Sequence, residues 1–92
     1  PFTTHTQFQF EHNLPNTELN IVINIYTITG RLVKSITETK YSSGFRVNDI
    51  VWDGRDDYDS NLARGVYLYK VMIHSKELNI SKESKFEKLI KL

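Results

Sequence analysis

Five oxygen-bearing side chains, Asp53, Asp56, Asp57, Asp59 and Asn61, fall within nine residues. Such a cluster of hard donors is the kind that Ca²⁺ takes. The spacing does not fit the Ca²⁺ loop of an EF-hand, however. With Asp57 as the first ligand, Leu62 stands where glycine must make the sharp turn and Leu68 stands where a bidentate glutamate must close the shell. Asx-turns, in which these short side chains accept from nearby loop amides, employ the same residues without a metal. That is the reading carried forward.

The histidines, His5, His12 and His74, are dispersed, and no cysteine or serine motif supplies a nucleophile beside them. A hydrolytic site needs a nucleophile, a base and an orienting group to converge, so these histidines read as surface or rim residues. No catalytic, cofactor-binding or metal-ligating residue is assigned. Lys76, Lys82, Lys85, Lys88 and Lys91 alternate with Glu77, Glu83 and Glu87, a pattern of edge protection and solubility rather than of a phosphate site. Tyr58, inside the acidic loop, has two readings: an exposed anchor for a protein partner, or a ring folded over Trp52.

The frame that must position these residues is small. The chain has 92 residues, 39% of them apolar, a single alanine, no cysteine and a net charge of +1. One domain spanning residues 1–92 is implied. The scarcity of alanine argues against a helical bundle, and the missing cysteines leave packing to supply stability without disulfides. A charge near neutrality does not suggest a domain built on polyanion binding. There is no signal peptide and no apolar run long enough for a transmembrane helix. An opening proline in place of methionine reads as a fragment or a processed product.

Period-two patterns place the strands. Residues 6–11 alternate Phe8 and Phe10 with polar neighbours, and residues 12–18 turn around Asn13, Pro15 and Asn16. Residues 19–26 give the cleanest strand, with Leu19, Ile21, Ile23 and Ile25 on one face. Gly30 turns the chain into a partner strand at 32–37, and Ser42, Ser43 and Gly44 mark a loop. Residues 46–52 form a strand with Val47 or Ile50, and Trp52, directed inward, and their uneven spacing suggests a bulge. After the acidic loop, residues 66–75 are apolar on both faces, as expected of a central strand. Residues 77–85 read as a mobile polar connection, and residues 86–92 as a final strand. Two packed antiparallel sheets follow: an all-β, immunoglobulin-like sandwich of about seven strands.

The segments IYTITGRLVKSI, WDGRDDYDSNLARGVYLYKV and the terminal FEKLIKL resemble the C-terminal domains of the type IX secretion system of Bacteroidetes, themselves similar to FlgD-like immunoglobulin modules. The opening PFTTHTQFQFEHNLP resembles the sortase subgroup, gingipain-like cysteine peptidases. The resemblance implies a non-catalytic targeting and docking domain that follows a peptidase domain, directs passage across the outer membrane, and holds the enzyme on an outer-membrane β-barrel shuttle protein (PorV-like) and the translocon at the cell surface. It implies no cofactor. Because recognition in this family is attributed to the end of the domain, it makes Phe86, Lys88, Leu89, Ile90, Lys91 and Leu92 the expected partner-binding residues.

Alternatives stay open: a cleavable sorting domain on a secreted cargo protein, or an adhesion or carbohydrate-binding sandwich with Tyr67 and Tyr69 on a ligand face. An independent protease fares worst, since nothing in the chain supplies a nucleophile.

Overall fold

The computed structural model describes the backbone of residues 6–11, 16–42 and 46–92, and the side chains of Phe8 and of residues 16–41 and 50–92. His5, His12, Pro15, Ser43 and Gly44 lie outside the described residues, as does the side chain of Val47. Seven strands follow in order: β1 (Thr6–Glu11), β2 (Thr17–Thr27), β3 (Leu32–Ser42), β4 (Arg46–Trp52), β5 (Gly65–Ser75), β6 (Ile80–Glu83) and β7 (Glu87–Lys91). One sheet has the order β3-β2-β5-β6, with β7 also paired to β5; the other is the β1-β4 pair. Every named pairing is antiparallel.

The alternation of β2 decides which face is buried. Leu19, Ile21, Ile23 and Ile25 are fully buried, whereas Asn20, Val22, Asn24 and Tyr26 are half-buried on the outside. The outer asparagines are tied to β3, with Ser35 Oγ donating to Asn24 Oδ1 at 2.7 Å and Thr39 Oγ1 to Asn20 Oδ1 at 3.2 Å. From the second layer, Phe8, Ile50 and Trp52 enter the same core. Phe8 meets Tyr69 edge-on at 4.9 Å between ring centroids, and Trp52 meets Tyr67 at 6.3 Å, the offset geometry that aromatic quadrupoles favour.

The expected irregularity in residues 46–52 is present. Phe8 pairs with Ile50 but Phe10 with Val47, so three residues along β1 face four along β4, and β4 bulges. β5 is central, with β2 on one side and β6 and β7 on the other.

Two expectations need correction. β3 runs to Ser42 rather than ending near residue 37. Its inward positions Lys34, Glu38 and Lys40 pair with Ile25, Ile21 and Leu19, so an edge strand carries charge on its core-side face and hides the apolar alternation. Residues 77–85 are also more than a connection. A tight turn with Asn79 at φ 51° leads into β6, after which Ser84 donates its amide to Val71 O and accepts the Val71 amide on Oγ, each at 2.8 Å. Four residues along β5, from Met72 to Tyr69, face five along the edge, from Glu83 to Glu87. β6 and β7 therefore form one bulged edge strand. Its polarity concealed it because all four residues of β6 are exposed.

Candidate docking edge

The six residues expected to bind a partner divide by strand alternation. Leu89 and Lys91 pair with Tyr67 and Gly65 on the core side; Lys88 and Ile90 pair with Leu68 and Val66 on the outer side. Leu89 packs against the core cluster, and Lys91 is buried. Phe86 is exposed over half its surface, where its ring meets Tyr26 edge-on at 5.6 Å and carries the Lys70 ammonium 4.9 Å from its centroid. Lys70 also pairs with Glu83. Leu92 is exposed. An apolar strip of Tyr26, Leu68, Val66, Phe86 and Ile90 thus lies on the outer face, flanked by Lys88, and β7 leaves one backbone edge unpaired by any described strand.

Lys91 is the unexpected member. Its ammonium donates to Asn61 Oδ1 at 2.7 Å, Leu62 O at 2.5 Å and Gly54 O at 3.2 Å. The three protons of an ammonium are thereby matched by three oxygens, which is what a buried cation needs. Asn61 stood out in the sequence as an oxygen donor; that its acceptor would serve a lysine thirty residues later left no local signal.

The acidic loop is a small ladder of its own. Gly54, at φ 78°, turns the chain out of β4, in the left-handed region that glycine enters without strain. Arg55 bridges Asn61, Asp56 N donates to Ser60 O at 2.9 Å, and Leu62 N donates to Gly54 O at 3.1 Å. Trp52 Nε1 donates to Arg55 O at 2.9 Å. The carboxylates act as turn acceptors: Asp53 Oδ1 takes the Arg55 amide, and Asp56 Oδ1 takes those of Tyr58 and Ser60. Asp57 reaches away from them to β3, accepting the Ser35 amide at 3.2 Å while its own amide donates to Val33 O at 3.1 Å. Among the described residues no group of His, Asp and Glu is arranged to hold a metal.

Tyr58 is exposed at the loop tip, and Tyr67 takes the place beside Trp52. Tyr67 is buried and Tyr69 half-buried against Phe8, so neither ring lines an open ligand face. Burial raises the hydroxyl pKa of both, and the negative charge of Glu87 adds to the effect at Tyr69. His74 lies half-buried on β5, where its Nδ1 is 2.7 Å from Ser81 Oγ, its cross-strand neighbour on β6.

No curated protein matches the chain. Among solved structures, the crystal structure of dimeric latent PorU from Porphyromonas gingivalis is similar at 34% identity and a TM-score of 0.82, over 98% of this chain and 8% of that one. This chain therefore spans a small fraction of PorU. The FlgD Ig-like domain family matches residues 2–77, from the N-terminal strand to the turn after β5. The match and the two-layer sandwich agree: this chain belongs to the FlgD Ig-like domain family.

Proposed function

We propose that this domain is the non-catalytic targeting and docking module of a type IX secretion system sortase. It directs export to the cell surface and holds a preceding peptidase domain on an outer-membrane β-barrel partner. The observation that carries this reading is the similarity to PorU across 98% of the chain. Tethering raises the local concentration of enzyme at arriving substrates without any chemistry in the module itself.

The contact runs along β7. An unpaired strand edge offers backbone groups for β-augmentation, with alternate side chains giving selectivity. Because Leu89 and Lys91 are committed to the domain's interior, the residues that meet the partner are Phe86, Lys88, Ile90 and Leu92. The test is a pull-down of the PorV-like barrel with the 92-residue chain and with the pair Phe86→Ala and Lys88→Glu. Loss of capture by the pair, with the thermal melt retained, supports the reading; full capture by the pair, or no capture by the native chain, defeats it.

A further inference from the structure

We propose that the β4–β5 loop is a clasp that couples the two edges of the five-stranded sheet, with the Lys91 ammonium as its bolt. The loop touches both edges. At β3 it adds a partial rung, with Asp57 N donating to Val33 O and Ser35 N donating to Asp57 Oδ1, and Lys34 Nζ lies 3.7 Å from the same carboxylate oxygen. At β7 it supplies all three acceptors of the Lys91 ammonium. β2 and β5 separate these edges, so the loop is a direct connection between strands that do not pair.

The coupling follows from the construction of the loop. The hydrogen bonds from Asp56 to Ser60 and from Leu62 to Gly54 make residues 54–62 a miniature hairpin that moves as a unit. One of its limbs carries Asp57, and the other carries Asn61 and Leu62. Gly54 O, Leu62 O and Asn61 Oδ1 converge on one point because a cation sits there, and no ion pair to Lys91 forms among the described residues. Without the ammonium, Leu62 O and Asn61 Oδ1 lose its donated protons and Gly54 O keeps only the Leu62 amide, so three partly negative oxygens face one another with no cation between them. The hairpin relieves this by swinging open, which draws Asp57 from β3 and bares the backbone at Val33 and Ser35. A free strand edge of that kind pairs readily with another chain.

This deepens the docking reading as a regulation of the same strand. A partner that pairs along the free edge of β7 and pulls its last residues outward withdraws the Lys91 bolt at one edge and opens the other. The test uses no partner, so its failure is separable from failure of the docking reading.

Amide hydrogen exchange on the 92-residue chain compares the native protein with Lys91→Met, which keeps the apolar stem and removes the ammonium. The Ser35 and Asp57 amides, on the opposite edge from the substitution, are expected to exchange roughly tenfold faster, the scale of one lost hydrogen bond, while the central Ile23 and Ile73 amides keep their protection. Faster exchange confined to β7 and the loop base, with Ser35 and Asp57 unchanged, overturns the proposal. If Lys91→Met loses central protection as well, Asp57→Ala decides. Coupling is reciprocal, so the β7 amides must then exchange faster, and unchanged β7 amides overturn it.

Discussion

The hydroxyl of Tyr67, at the start of β5, donates a 2.5 Å hydrogen bond to the carbonyl of Ala63, four residues earlier. This is the tyrosine corner of immunoglobulin-like sandwiches, here placed where the acidic loop enters the central strand. Tyr67→Phe leaves the ring on Trp52 but strands the Ala63 carbonyl. A loss of about 1 kcal/mol in urea unfolding is expected, and an unchanged midpoint would show the bond to be unimportant.

The same residue gives an alkaline limit. Burial raises the hydroxyl pKa of Tyr67 and Tyr69 above the ordinary tyrosine value of about 10. Between the ordinary and the raised values the unfolded chain has released protons that the folded chain still holds, so stability falls as pH rises. The contribution is fully present below the ordinary tyrosine value of about 10 and is lost as pH rises from there through the raised value of the folded state. Tyr67→Phe should shallow the fall in melting temperature in that range; an identical alkaline profile would remove Tyr67 as a cause.

Neighbouring residues of β2 should respond unequally to truncation to alanine. Ile23 is fully buried and Val22 faces outward. Ile23→Ala is expected to cost about 3 kcal/mol through lost burial and a cavity, and Val22→Ala about 1 kcal/mol or less. Equal losses by denaturant titration would contradict the assignment of faces.

Along β7 the alternation makes a similar contrast. Leu89→Ala should lower the melting temperature measurably because its side chain packs on the core, whereas Lys88→Ala, on an exposed residue, should leave it within experimental scatter. A larger loss at Lys88 would reverse the faces assigned to the strand.

Ca²⁺ is expected to leave the melting temperature unchanged. Asp56 and Asp57 already accept loop and strand amides, and Asn61 faces the Lys91 ammonium, so a divalent ion would have to displace a built-in cation. A rise in melting temperature on titration, absent in Asp56→Ala, would establish a metal role for the loop.

By itself the sequence determined what depends on near neighbours. The alternation of Leu19, Ile21, Ile23 and Ile25, the turn at Gly30, the bulge before Trp52 and the Asx-turns at Asp53 and Asp56 all follow from side-chain period and local backbone preference, and together they required an all-β sandwich. Tertiary structure decided what depends on which strand lies at an edge and what covers it. β6 and the far half of β3 read as polar because little packs over an edge strand, so burial left no period to detect. The fate of Lys91 was set in the same way. A lysine beside Leu89 looks like one more solubilising charge until folding brings Gly54, Asn61 and Leu62 around its ammonium. Contacts across such sequence distances are fixed by the packing of the whole sheet, not by any preference of the residues nearby.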